Sequence, residues 1–260
     1  MPTRPYKGSG KGMRTPAVLR RTDPLTSLLL VFPLFLAYQI GVLLMPSTYN
    51  GADLITSQML RLMHGNASLY LLINVGLAAA LVILMLVLRR KNSFDPRLFV
   101  PVLLESAIYA ITMGSLICFV MVDLLHVDPK MWIGAAGRWL PSLATGPEQA
   151  DPAAKLVLSL GAGVHEELVF RLLMVGGGTW LLTQVVGVNR WVSIVSAMLI
   201  SSILFSGAHH VIGGEPFRMG AFVYRVLCGL VFATIFQTRG FAVAVYTHAL
   251  YDIYVLIVRG

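Results

Sequence analysis

Ionisable side chains occur inside apolar stretches of the C-terminal half of the chain. They lie in three separate stretches: Glu166, Glu167 and Arg171, then His209, then His248 with Asp252. An ionisable group within a membrane span is costly, so each of these residues is a candidate for function. Three stretches that supply carboxylates, imidazoles and a guanidinium predict one shared polar site.

The spacing within these stretches matches one turn of a helix. Glu167 and Arg171 stand at i and i+4, so they can pair and neither leaves a lone buried charge. Glu166 lies about 100° further around the helix, where it is free to meet another helix. His248 and Asp252 are also four residues apart, so the carboxylate can orient the ring or share a ligand with it.

Carboxylates and histidines without a nucleophilic side chain suit the activation of water. Glu166 is a candidate proton acceptor, His209 can position the water, and His248 can donate to an oxyanion. The HEE sequence at 165–167 lacks the second histidine of the H-E-x-x-H zinc motif, because residue 169 is Val. A metal held by Glu166, His209 and His248 together stays open as an alternative.

Two hydrolytic chemistries that use a different nucleophile or a pair of aspartates fit less well. Ser206 lies in the sequence FSGAHH, which does not match a Gly-x-Ser-x-Gly-like nucleophile context. Asp252 would need a second intramembrane aspartate in a GxGD sequence, and GAGV at 161–164 lacks one. Neither a serine nor a paired-aspartate mechanism is therefore predicted.

The elements that carry these residues are predicted to be membrane-spanning helices. The chain is 57% hydrophobic and 12% charged, and its mean hydropathy is +0.76. Soluble domains carry about twice that charged fraction. We predict an all-α polytopic bundle of about seven spans, each of roughly 20 residues. Their predicted ranges are 25–46, 67–88, 98–125, 154–176 with a continuation to 186, 191–211, 219–237 and 241–258.

The remaining segments divide the chain into three regions. Residues 1–24 are basic and are predicted to be a disordered cytoplasmic segment. Residues 25–150 hold the first three spans, a short interfacial helix at 51–64, and most of the loop at 126–153 with its Trp132 and Trp139. Residues 151–260 form the predicted catalytic region. Cys118 and Cys228 lie in apolar stretches without CxxC spacing and are predicted to be small core residues.

The distribution of basic residues predicts the orientation. Seven spans with a cytoplasmic N-terminus place twelve basic residues in the cytoplasm and six on the other side. The net charge of +8 therefore reflects membrane topology, and no nucleic-acid partner is expected. Within the third span, Glu105 is predicted to pair with Arg225, for which Asp252 is an alternative partner.

Three sequence motifs resemble those of a known family. EELVFR at 166–171, FSGAH at 205–209 and HALYD at 248–252 look like the EExxxR, FxxxH and HxxxN/D motifs of the CPBP family. This family includes the CAAX prenyl proteases and bacteriocin-processing enzymes, often labelled Abi proteins. The resemblance covers about residues 154–258, and all three motifs occur in order within predicted spans.

The resemblance implies a metal-independent glutamic intramembrane protease without a cofactor. By the family pattern, Glu166 and His209 activate water, while His248 and Asp252 stabilise the oxyanion. The supporting residues are Glu167, Arg171 and Phe205. The last motif position is often Asn in the family, so Asp252 is a departure: a carboxylate donates a hydrogen bond only when protonated.

The implied substrate is a membrane-anchored protein or peptide in the lipid bilayer. Either a prenylated CAAX protein or the C-terminal tail of an exported protein fits the resemblance. We expect a bacterial inner-membrane location, with the site toward the non-cytoplasmic side. A non-catalytic scaffold or a small proton-coupled transporter is the alternative. Such transporters often show repeats and broken helices in both halves, whereas the polar residues here lie mainly in one half.

Overall fold

The computed structural model describes residues 21–44, 54–64, 66–91, 93–127, 151–212 and 216–258. This part of the chain contains eight helices and no strand, which confirms the all-α prediction. The helices are α1 (Pro24–Leu44), α2 (Leu54–Leu62), α3 (Ala67–Arg89), α4 (Phe99–Phe119), α5 (Pro152–Val185), α6 (Arg190–Val211), α7 (Met219–Arg239) and α8 (Phe241–Val258). A 3₁₀ turn, Pro96–Leu98, precedes α4, and a π turn, Val120–Leu124, extends it.

Seven of the described helices are long and apolar enough to cross a membrane, all except α2. Their positions agree with the predicted spans, and α2 lies within the predicted short helix at 51–64. The glycines at 176–178 do not break α5, which continues to Val185. Residues 1–20 of the predicted disordered segment, and most of the loop at 126–153 including both its tryptophans, lie outside the described residues.

Helix α8 is the most buried of the seven spans. Every residue from Phe241 to Ala249 is buried, because these mostly small or β-branched side chains allow neighbouring helices to approach on all sides. Tyr246 donates a hydrogen bond to the carbonyl of Leu30 in α1 at 2.9 Å. Ser106 of α4 donates to the carbonyl of Val243 at 3.3 Å. α8 therefore forms the centre of the bundle.

Two glycines are required by the close packing around α8. A Cβ on Gly163 of α5 would come within 2.8 Å of the Ala249 Cβ, so only glycine permits this approach of α5 to α8. Gly240 joins α7 to α8 with φ +100°, a conformation that L side chains rarely adopt. The backbone N–H of Thr22 donates to the carbonyl of Arg239 at 2.9 Å and holds the start of α1 against this turn.

Helix α5 is irregular in its central part. Ala162–Glu166 and Leu168–Gly177 form π segments, in which hydrogen bonds run from i to i+5. Ser201 of α6 donates to the carbonyl of Phe170 at 2.5 Å and so gives this carbonyl of the irregular helix a hydrogen-bond partner. Such π segments are frequent at functional sites. The EELVFR motif at 166–171 begins in the first segment and continues into the second.

The polar contacts show which helix ends lie together. Ser206 in the last part of α6 donates to the Phe222 carbonyl in the first part of α7 at 2.8 Å, so these two helices are antiparallel. The starts of α1, α4, α6 and α8 and the end of α7 therefore share one end of the bundle, called here the basic end. It is defined by Arg21, Arg190 and Arg239.

The predicted pairing of Glu105 with Arg225 is wrong. Glu105 pairs instead with Arg239, whose Nε and Nη2 lie 2.5 and 2.8 Å from its two carboxylate oxygens. The reason is the level of each residue within the bundle. Glu105 is near the start of α4 at the basic end, where α7 finishes. Arg225 precedes Arg239 by fourteen residues, which is roughly 21 Å along a helix.

Candidate active site

Glu166 lies where three helices meet. Its Oε2 is 3.9 Å from Nε2 of His209 on α6 and 3.9 Å from Nε2 of His248 on α8. The side chain is 5% exposed, so the carboxylate is almost fully enclosed. One carboxylate oxygen thus faces the imidazoles of two different helices, as the sequence predicted for a residue turned away from Arg171.

The ring of His209 is oriented by its own helix. Its Nδ1 lies 2.9 Å from the carbonyl oxygen of Phe205, one turn earlier. A carbonyl oxygen only accepts, so Nδ1 carries the proton in this bond. In the neutral ring, Nε2 is then an acceptor, and this is the nitrogen that faces Glu166. The backbone of α6 therefore sets which His209 nitrogen is presented to the site.

Glu167 holds two side chains through one oxygen. Its Oε1 lies 2.8 Å from Nδ1 of His248 and 3.2 Å from Nη1 of Arg171. Glu167 and Arg171 are 0% and 1% exposed, so both charges are removed from solvent. The predicted pairing of Glu167 with Arg171 is present, and the contact with His248 adds a second helix to it.

Aromatic rings enclose the guanidinium of Arg171. Its Cζ lies 4.5 Å from the ring centroid of Phe205 and 5.1 Å from that of Phe232. A cation over an aromatic face is attracted by the ring quadrupole, and more strongly where water is excluded. Phe205, the first residue of the second motif, therefore contacts the Arg171 charge as well as the His209 ring.

Phe232 of α7 is a site residue that the sequence analysis missed. Its ring stacks on the imidazole of His248, with centroids 4.5 Å apart and planes 15° from parallel. The same ring lies 5.1 Å from Cζ of Arg171, so Phe232 links the first and third polar stretches. One aromatic residue in an apolar span carries no distinguishing sequence signal, which is why the motifs did not point to it.

Asp252 lies at the edge of the cluster. Its Oδ2 is 3.6 Å from Nε2 of His248, beyond ordinary hydrogen-bond distance. Its side chain is 26% exposed and that of His209 is 15% exposed, whereas those of Glu166, Glu167, Arg171 and His248 are almost completely buried. Asp252 and His209 therefore mark the side from which the cluster is reached.

All six ionisable residues predicted for the site thus come together in one cluster of α5, α6 and α8. It lies away from the basic end, since His209 is close to the end of α6 and Asp252 is in the second half of α8. Among the described residues, no group of three or more His, Cys, Asp and Glu is arranged to hold a metal ion.

Residues 149–254, which contain the whole cluster, match the family model described as Type II CAAX prenyl endopeptidase Rce1-like. This region of the chain is therefore similar to that family. The match confirms the CPBP resemblance drawn from the three motifs. No curated protein matches the chain, and no solved structure does.

Three further polar residues lie in the matched region. His165 is buried against α1, with its ring 5.0 Å from that of Tyr38. His210 contacts the ring of Phe217 at 5.2 Å and so points away from Glu166, as expected from its position beside His209. Arg225 is half-buried on α7.

Proposed function

We propose that this chain is a metal-independent, glutamic-type intramembrane endopeptidase that cleaves a membrane-anchored protein or peptide. The observation that carries the proposal is the position of Glu166 Oε2, 3.9 Å from Nε2 of both His209 and His248. The Rce1-like match to residues 149–254 supports the same reaction class.

Glu166 and His209 are suited to activate one water. A carboxylate and an unprotonated imidazole nitrogen are both acceptors, so they cannot hydrogen-bond each other. A water donates two hydrogen bonds, each of about 2.8 Å, and can bridge acceptors at this separation. The water oxygen attacks the carbonyl carbon as Glu166 takes its proton. When the C–N bond breaks, Glu166 returns that proton to the leaving amine.

His248 is suited to stabilise the oxyanion. Because Nδ1 is turned to Glu167, Nε2 faces the reacting position. Donation from Nε2 requires the ring to carry both protons. Glu167, Asp252 and Glu166 lie 2.8, 3.6 and 3.9 Å from the ring nitrogens and compensate that charge. Pre-aligned donors of this kind are among the largest contributions to catalysis of acyl transfer.

Glu167, Arg171, Phe205 and Phe232 act as positioning residues in this proposal. The Glu167 carboxylate fixes the rotation of the His248 ring, and Arg171 balances the charge of that carboxylate. Since Glu167 is occupied in this way, Glu166 remains available for water. Asp252 takes the place of the family Asn, where it compensates the His248 charge or, when protonated, donates to the oxyanion.

The substrate that we propose is an exported protein with a membrane anchor, cleaved in maturation or sorting. The cluster lies away from the basic end of the bundle, and the charge bias predicts that this end faces the cytoplasm. The site then opens toward the non-cytoplasmic side of a bacterial inner membrane. A prenylated CAAX peptide is the competing substrate within the same proposed activity.

The test is a cleavage assay with the purified chain in liposomes. Two substrates are compared, a peptide with a C-terminal membrane anchor and a prenylated CAAX peptide, with product masses read by mass spectrometry. We expect cleavage by the parent and by Glu105→Gln, and none by Glu166→Ala or His209→Ala. Undiminished cleavage by both site variants would overturn the assignment. Loss on chelation, restored by zinc, would overturn the metal-free mechanism.

A further inference from the structure

Two arginines at the basic end of the bundle have no acidic partner among the described residues. Arg21, just before α1, and Arg190, the first residue of α6, are both exposed. By contrast, Arg171 pairs with Glu167, and Arg239 pairs with Glu105. The acidic residue nearest to Arg21 in the sequence is Asp23. Its carboxylate accepts hydrogen bonds from the Thr26 N–H and hydroxyl at 3.1 and 2.5 Å.

The two guanidinium groups lie at the same level of the bundle. Arg21 stands over the ring of Phe236 near the end of α7, with 5.2 Å from Cζ to the ring centroid. Arg190 begins α6, which is antiparallel to α7, so it lies at this end too. Desolvation and, to a smaller extent, the charge of Arg190 lower the pKa of Arg21 from its ordinary value. Two positive charges therefore lie at the same end of the bundle.

The surroundings are those of a membrane surface. Trp191 follows Arg190 and is 75% exposed, as expected for an indole at the level of lipid headgroups. In the sequence, residues 1–22 contain six basic residues and no acidic one. Basic clusters beside a span attract anionic lipids, with about 1 kcal/mol for each Lys or Arg near the surface.

We propose that Arg21 and Arg190 together bind the phosphate of an anionic membrane lipid. Guanidinium groups suit this ligand, because their planar N–H donors match phosphate oxygens in pairs. The anionic phosphate would compensate both positive charges. It would also hold the start of α1 against the α7–α8 turn, since the neighbouring Thr22 is hydrogen-bonded to the Arg239 carbonyl.

The test is the binding of a fluorescent phosphatidylglycerol to the purified full chain in detergent, followed by anisotropy. We expect the Arg21→Gln/Arg190→Gln variant to bind it roughly tenfold or more weakly than the parent. The matched control is Arg89→Gln/Arg90→Gln, which removes the same charge from exposed positions at the end of α3. This control is expected to stay within about twofold of the parent, because consecutive residues of a helix point about 100° apart and do not converge on one phosphate.

A lysine variant and two competing ligands separate loss of the proposed site from misfolding and from binding of free phosphate. The Arg21→Lys/Arg190→Lys variant retains both charges but loses the paired guanidinium donors, so its affinity is expected to lie between those of the parent and the Gln variant. Such partial recovery excludes misfolding as the cause of the loss in the Gln variant. Phosphatidylcholine and inorganic phosphate are expected to compete poorly. Equal weakening in the Arg89/Arg90 control would overturn the proposal, because it would indicate general surface attraction. Equally strong competition by inorganic phosphate would overturn the assignment to a lipid.

Discussion

The Glu105–Arg239 pair and the Glu167–Arg171 pair lie within the described spans, and their surroundings differ. In the Glu105–Arg239 pair, both carboxylate oxygens are bound by the guanidinium, at 2.5 and 2.8 Å. In the Glu167–Arg171 pair, one oxygen is shared between Arg171 and His248. The first pair is partly exposed at the basic end, whereas the second is fully buried.

Glutamate and arginine therefore serve a different purpose in each pair. In the Glu105–Arg239 pair, the guanidinium binds both carboxylate oxygens and so joins α4 to the end of α7. The Tyr109 hydroxyl also donates a hydrogen bond to Glu105. The Glu167–Arg171 pair is open on the His248 side and is enclosed by aromatic rings. An ion pair thus becomes part of a proposed active site through what else converges on it.

The largest expected difference between the pairs is in stability. Glu167→Gln leaves the Arg171 charge buried without its counterion, which costs about 3–5 kcal/mol in the free energy of unfolding. Glu105→Gln is expected to cost about 1 kcal/mol or less, since water reaches that pair and screens it. Thermal and denaturant unfolding in the same detergent measure both. Equal losses in the two variants would show that burial does not distinguish the pairs.

The aromatic surroundings of Arg171 give the next prediction. Phe232→Leu removes the ring that stacks on His248, and we expect kcat to fall up to about tenfold, from an aromatic contact of roughly 0.5–1.5 kcal/mol. KM should change little, because the ring does not contact substrate in the proposed mechanism. The control is Phe236→Leu, one turn later in α7 and also buried.

Both phenylalanine variants lose a similar buried volume, so both are expected to lose stability. Of the two variants, only Phe232→Leu is expected to alter kcat and its pH dependence, because Phe232 stacks on the His248 ring and Phe236 does not. A matching fall in kcat for Phe236→Leu would mean that Phe232 acts through packing alone. Its role as a positioning residue would then be wrong.

The smallest expected effect on cleavage is that of replacing Asp252. This carboxylate lies beside His248 in the buried cluster. Asp252→Asn introduces the residue often found in the family motif, and its amide can donate to an oxyanion without being protonated. We expect cleavage within about tenfold of the parent, with a larger loss in Asp252→Leu. Steady-state kinetics over a pH range measure this. An inactive but folded Asp252→Asn would show that the carboxylate itself is needed.

Much of the helical architecture could be predicted because its cause is local. Long apolar runs predict spans wherever they occur, and those predicted from α1 to α8 agree with the described helices. The π segments of α5 could not be predicted in this way. They depend on contacts from other helices, such as the hydrogen bond from Ser201 to Phe170, and the apolar periodicity is too coarse to show them.

The candidate site was predictable to the extent that its residues are out of place in an apolar span. Glu166 and His209 could be singled out for that reason. The contacts of Phe232 and the partner of Glu105 could not be predicted from the sequence. Phe232 is an ordinary residue for a span, and the pairing of Glu105 with Arg239 depends on the relative level of α4 and α7. Both require the positions of helices in space.

The central claim is that Glu166 and His209 act on the same water. The direct test is a double-mutant cycle in the cleavage assay with Glu166→Gln, His209→Ala and the combined variant. Each single change is expected to lower kcat by about 10²–10⁴-fold. The combined variant should be only a few-fold worse than either, because groups that act as a unit are not additive. Losses that multiply in the combined variant, or a single variant that retains full activity, would contradict the claim.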